Sequence, residues 1–306
     1  MVPIKIIDEI APLEAVVLGT AKSFGGVPAL EETYDPKSRE HINKGTFPAE
    51  EDLVYEMDQF RITLEKYGVK VFRPKIIENY NQVFSRDICF AIDDCFVIPR
   101  VTENRRLETD GIQYIIDDIE PSKVLLPDLE IRIEGGDVMP WNGKLFVGYS
   151  KPDDFNNFIV ARTNEIGVEY LQETFKDWEV IPFELKKSDH NPKENALHLD
   201  CCFQPLGKGK AIIHREGFKN QVDVDYLIKF FGEKNIHFID KEEMYQMHSN
   251  VFSINPEVVV SDKSFTRLND QLRTWGFTVE EVPYQEVAKM EGLLRCTTMP
   301  LRRNYD

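Results

Sequence analysis

Cys296 stands in EGLLRCTTMPLRR, residues 291–303, and it is the side chain here best suited to covalent chemistry. A thiol attacks as thiolate, and an ordinary cysteine is mostly protonated at neutral pH, so a nucleophilic Cys296 needs a proton partner. His198 is the candidate, in ENALHLDCC, two residues before Asp200. On a strand that spacing points both side chains to one face. His248, two residues before Asn250, repeats the spacing and is held in reserve. Cys89, Cys95, Cys201 and Cys202 lie inside apolar strand patterns and read as core. Glu134 and Asp137 flank two glycines in EGGDVMPW, which reads either as a capped turn or as a place where backbone approaches a ligand closely. Asp87 follows Arg86 in FSRDICF, and a buried Arg–Asp pair is its structural alternative. His198, Asp200, Glu134 and Asp137 could ligate a metal, but there is no second histidine at i, i+4 and no Cys-x-x-Cys pair, so no metal is expected.

A recurring unit would position these groups. SRD-ICFAIDDCFVIPR, EGGD-VMPWNGKLFVGYS, HLD-CCFQPLGKGKAIIHR and HSN-VFSINPEVVVSD each read as a polar residue, an apolar strand, a turn and a second apolar strand. LRC-TTMPLRR begins alike and runs off the end. The leading residues are Asp87, Asp137, Asp200, Asn250 and Cys296, spaced by 50, 63, 50 and 46. Before several units a helical pattern closes at a glycine and a short strand follows. Leu53, Met57, Phe60 and Leu64 share one face of such a helix, which Gly68 ends; Gly276 closes another. Five helix–strand–hairpin units stacked around an axis would bury their apolar faces on each other and turn the leading residues inward.

The totals fit this picture. The chain has 306 residues, 42% of them hydrophobic and 29% charged, and no apolar run long enough to span a membrane. The N-terminus lacks a signal-peptide layout, and five cysteines form no disulfide framework, so a reduced, cytoplasmic protein is expected. A net charge of −16 disfavours polyanions, both nucleic acid and anionic membrane, as partners and is compatible with a small cationic substrate. No P-loop, dinucleotide fingerprint or G-x-S-x-G is present, and no cofactor is expected.

Together FSRD (84–87), EGGDV (134–138), GYS (148–150) with RTNEIG (162–167), HLD (198–200) and RCTTMPL (295–301) resemble the guanidine-modifying, or pentein, superfamily. It includes arginine deiminases, dimethylarginine dimethylaminohydrolases and amidinotransferases. The resemblance implies an α/β fold, a five-bladed α/β propeller of ββαβ units forming one domain over residues 1–306, and a homodimer. It implies Cys296 as nucleophile, His198 as general acid/base, Glu134 as support for His198 or substrate, and Asp87, Asp200 and Asp137 around the guanidinium. Arg162 matches a position that binds the substrate's α-carboxylate in several members, although here KPDDFNNFIVA separates it from Ser150. The implied substrate is a small guanidino cation such as arginine or a methylated arginine. EGLLRC is close to the dimethylarginine hydrolases, whereas CTTMPL and HLD are deiminase-like. Hydrolysis of a guanidine C–N bond through an S-amidino-cysteine is the expected activity. Amidino transfer to an amine, or ligand binding without catalysis, are the alternatives.

Overall fold

The apolar segments form fifteen strands arranged as five separate three-stranded sheets in a computed structural model that describes residues 3–306. Four sheets follow the chain: Phe90–Ile92, Cys95–Val97 and Val124–Leu125; Val138–Trp141, Lys144–Tyr149 and Glu179–Glu184; Phe203–Leu206, Lys210–Ile213 and Ile236–Phe238; and Phe252–Asn255, Val258–Asp262 and Thr278–Val282. In each, a hairpin supplies an antiparallel pair and a crossover returns a third strand parallel to the central one. Two-residue turns need positive φ, and Asn142 (φ 47°) and Gly143 (φ 82°) provide it between Trp141 and Lys144.

The unit that runs off the C-terminus is completed from the other end of the chain. Thr298–Arg303 pairs antiparallel with Leu13–Leu18, which pairs in parallel with Lys70–Phe72. N-terminal and C-terminal segments therefore close the ring of sheets in one sheet. This is the arrangement of five repeated units expected from the sequence.

The helices pack as their periodicity dictates. Leu53, Met57, Phe60 and Leu64 lie on one face of Glu50–Lys66 and are all fully buried, with Phe60 edge-on to Phe252 and Tyr284. At about 25 cal/mol per Å² of apolar surface, each such side chain contributes roughly 1.5–3 kcal/mol. Pro48 lies just outside this helix, whose N-cap is Ala49. Gly68 and Gly276, at φ 77° and 82°, end the helical segments before Lys70–Phe72 and Thr278–Val282. The 151–161 insert is an excursion containing the helix Pro152–Asn157. The chain then returns so that Ser150 N donates to Thr163 O at 2.9 Å and Asn164 bridges Ser150. Among the described residues no helix is long and apolar enough to cross a membrane.

Candidate active site

Each leading residue sits just before the first strand of its unit, on a tight turn that cannot continue the sheet. Asp87 lies in the helical turn Ser85–Ile88, Asp137 ends the 3₁₀ turn Gly135–Asp137, and Asp200 is central in Leu199–Cys201. Asn250 and Cys296 precede Phe252–Asn255 and Thr298–Arg303. The turns aim these side chains inward, where they form two adjoining clusters.

Asp87, Glu134 and His198 form the first. His198 Nε2 donates to Glu134 Oε2 at 2.9 Å, and His198 Nδ1 faces Asp87 Oδ1 at 3.7 Å. Arg105 Nη1 donates to Asp87 Oδ2 at 2.7 Å while its Nε and Nη2 hold Glu108 at 2.7 and 3.0 Å. Asp87 Oδ1 is left buried without a hydrogen-bond partner. Gly136 makes the close packing possible: a Cβ there would stand 2.7 Å from His198 Cγ and 2.9 Å from Asp87 Oδ1. Burial opposes charge on His198, but Asp87, Asp137 and the Glu134 hydrogen bond outweigh it and raise its pKa to about 9. Burial likewise opposes ionisation of Glu134, yet the His198 bond and the Arg162 charge bring it down to about 2. The cluster holds an imidazolium against carboxylates at neutral pH.

These three residues each offer one ligand atom, mutually within 4.8 Å, and could hold a metal ion. The fit is poor. Glu134 meets the ring nitrogen opposite the one facing Asp87, so one ion reaches all three only by breaking the 2.9 Å His198–Glu134 bond.

The second cluster surrounds Cys296. Asn250 Nδ2 donates to Cys296 Sγ at 3.1 Å and Asn250 Oδ1 accepts from Cys296 N at 3.0 Å, so one amide grips the residue twice. Cys296 Sγ stands 3.5 Å from Asp200 Oδ2, which also accepts from Arg295 Nη1 at 2.8 Å. Arg295 is fully buried and donates further to Gly136 O at 3.3 Å, Val138 O at 2.9 Å and both oxygens of Glu9 at 3.0 and 3.1 Å. Burial alone would raise Glu9, but Arg295 and Arg86 pull it to about 2. Burial, with Asp200 and Asp87 adding to it, pushes the Cys296 thiol well above the usual cysteine range. The clusters meet through Gly136 O on Arg295, and through Arg86, whose N and Nε donate to Cys296 O at 3.0 Å and Arg295 O at 3.2 Å. Cys296 and His198 are 3% and 1% exposed, so the site is closed to solvent in this state.

Several expectations change. HLD is not a strand: Leu199–Cys201 is a 3₁₀ turn, with about 120° of rotation per residue. His198 and Asp200 therefore diverge, one to each cluster. Asp137 is expected at the guanidinium, yet Thr163 Oγ1 donates to its Oδ2 at 2.6 Å and Leu199 N to its Oδ1 at 2.9 Å. Its carboxylate ties the 134–138, 162–164 and 198–200 segments together. Arg162 is expected on a substrate carboxylate, yet its Nη1 and Nη2 donate to Ile159 O at 2.6 Å and Tyr34 O at 2.9 Å, and its Nε lies 3.8 Å from Glu134. Asp200 is not a free acceptor, since Arg295 occupies it. His248 belongs elsewhere, stacked on Phe265 at 3.8 Å and lowered by burial to about 4.

Arg105 and Glu9 escape sequence reasoning. Arg105 lies in VTENRRLETD, where no periodicity marks it, and Glu9 is 286 residues from Arg295. Arg295 lies inside a recognised motif, but nothing beside it announces a buried cation.

Comparison with known proteins bears on the family and the fold. The family described as N,N dimethylarginine dimethylhydrolase, eukaryotic, matches residues 33–303. The uncharacterized protein YkgA of Bacillus subtilis (strain 168) is 29% identical over 224 residues, 72% of this chain and 70% of YkgA. Among solved structures, SxtG, an amidinotransferase of saxitoxin biosynthesis from Microseira wollei, superposes with a TM-score of 0.76 at 20% identity over 99% of this chain and 98% of SxtG. The N-terminal domain of ArgZ, an arginine dihydrolase of cyanobacteria, seen covalently bound to a reaction intermediate, gives 0.77 at 17% identity over 94% of this chain and 98% of that one. At these identities the structural likeness is one of fold.

Proposed function

The chain belongs to the N,N-dimethylarginine dimethylhydrolase family within the pentein superfamily, and from that premise we propose that it cleaves a C–N bond of a linear guanidino compound by covalent catalysis at Cys296. The observation that carries this reading is Asp87 Oδ1, a buried carboxylate oxygen without a partner, 3.7 Å from His198 Nδ1. A buried acceptor left unpaired costs on the order of 1–3 kcal/mol. A guanidinium N–H is the donor that would satisfy it.

The substrate cation pairs with Asp87, with Asp200 on the cysteine side as second acceptor alongside Arg295. Charge-assisted hydrogen bonds orient the guanidinium plane and hold its carbon near the sulfur, making attack effectively intramolecular. The arriving positive charge offsets the burial and the carboxylates that raise the Cys296 thiol, its proton leaves to solvent as the cation binds, and Asn250 Nδ2 donates to the resulting thiolate. Sulfur bonds to the guanidinium carbon, and the C=N electron pair moves onto nitrogen. The tetrahedral adduct collapses as the C–N bond breaks, its electrons staying on the departing amine or ammonia, which takes a proton from His198. An S-amidino cation remains on Cys296. His198, now neutral, removes a proton from water as the oxygen attacks the same carbon. As the C–S bond breaks, the hydroxyl proton passes to the sulfur, which returns the thiol and releases a ureido product. Glu134 keeps His198 oriented and cationic between turnovers.

An amine in place of water makes the same intermediate an amidino donor, and the SxtG likeness keeps amidino transfer as the second reading. Incubation with arginine, methylated arginines and simple guanidines should release ammonia or alkylamine with a ureido product. Turnover only with an added amine would establish transfer instead. Acid quench during turnover should leave a Cys296 peptide heavier by the amidino group, and full turnover by Cys296→Ser would refute the covalent route.

A further inference from the structure

A cavity of about 390 Å³ is walled in part by the 24–35 segment. Phe84 and Met290 line it, the first in the segment that carries Asp87 and the second in the segment that carries Cys296. Phe84 packs on Gly292, whose Cβ position would fall 2.3 Å from Phe84 Cε1. Phe24, Tyr34, Tyr80 and Phe84 give the cavity aromatic walls. Glu32, Asp35 and Glu108 give it carboxyl groups. No lysine, arginine or histidine lines it.

That composition suits one ligand charge. Aromatic faces attract cations through the ring quadrupole, and carboxylates do so directly. Glu32 makes no ion pair among the described residues, and Glu108 shares Arg105 with Asp87, leaving two carboxylates to one guanidinium. A carboxylate in the cavity would find no counter-ion among the residues that line it. Arg105 is occupied, and Arg162 is spent on two backbone carbonyls.

We infer that this cavity receives the non-reacting end of the substrate and that this end is an amine, so that the preferred substrates are guanidinoalkylamines rather than α-amino acids. The inference rests on the reading that the guanidinium carbon reacts at Cys296. The alkyl chain lies along the Phe84 ring, and substrate entry displaces Phe84 and Met290 to join the cavity to the Asp87 cluster. A separate recess of about 280 Å³, lined by Arg100, Arg132 and Arg162 and reaching Glu134, is where a carboxylate tail would go if the inference is wrong.

Three probes of similar length separate these arrangements: 4-guanidinobutylamine, 4-guanidinobutanoate and propylguanidine. The amine should exceed the carboxylate in kcat/KM by at least about tenfold, with propylguanidine between them. Glu32→Gln should lower the ratio of amine to propylguanidine about threefold or more, through KM. Equal use of the two charged probes, or a preference for the carboxylate that Arg100→Ala abolishes, would overturn the inference while leaving the reaction at Cys296 standing. If no guanidine is turned over, calorimetry on the Cys296→Ser protein still tests the cavity. Binding of 1,4-diaminobutane at least about tenfold tighter than butanoate supports it, and equal or reversed affinities refute it.

Discussion

The two halves of the site contrast in how completely their charges are matched. Around Arg295 nearly every donor is used, on Glu9, Asp200, Gly136 O and Val138 O, and the thiol is gripped by Asn250. Around His198 the accounting is left open. Asp87 offers an unpartnered oxygen, and two carboxylates share Arg105. Saturated buried networks hold backbone in place, whereas an unsatisfied buried acceptor is tolerated where a ligand completes it. The cysteine half is a rigid mount for the nucleophile, and the histidine half is shaped for an incoming cation.

Mutations in each half should therefore fail differently. Cys296→Ser should lower kcat by at least about 10³-fold with the denaturation midpoint nearly unchanged; a comparable residual rate would place the nucleophile elsewhere. Arg295→Met should act on stability, because it strands Glu9 and Asp200 as buried charges. Urea titration should show a loss of about 3–5 kcal/mol, and a neutral result would mean that this network is not a mount. Gly136→Ala should leave the fold intact but push His198 and Asp87 apart, reducing kcat about 10²-fold. An unchanged kcat would show that their spacing is slack.

The pH dependence sharpens the same contrast. His198 must enter as the acid, so kcat/KM should fall as pH rises through about 9, the value to which its carboxylate neighbours raise it. Glu134→Gln removes one of those carboxylates, and the alkaline limb should move toward lower pH by about one unit or more. A limb that stays in place would assign it to another group. The stability signs agree. The raised His198 contributes stability fully below its unfolded pKa near 6.5, lost as pH rises through about 9. The depressed Glu134 contributes above its unfolded value near 4.5, lost as pH falls toward about 2.

Much of the frame was legible in the sequence because it depends on local order. Alternating apolar residues, turn-forming Asn142-Gly143 and the glycines after helical faces are short-range signals, and their repetition exposed the ring of units and the five leading positions. The motifs around Asp87, Glu134, His198 and Cys296 named the family for the same reason. Tertiary structure decided the partners. Whether Asp137 meets a substrate or Thr163, whether Arg162 is free or held by Tyr34 O, and which acid neutralises Arg295 depend on separations of about 3 Å between segments as much as 286 residues apart. The turn at Leu199–Cys201 likewise sent His198 and Asp200 to different clusters, although their spacing alone put them on one face. Charge pairing in a closed interior follows from which backbones the packed sheets bring together, and no local pattern encodes that.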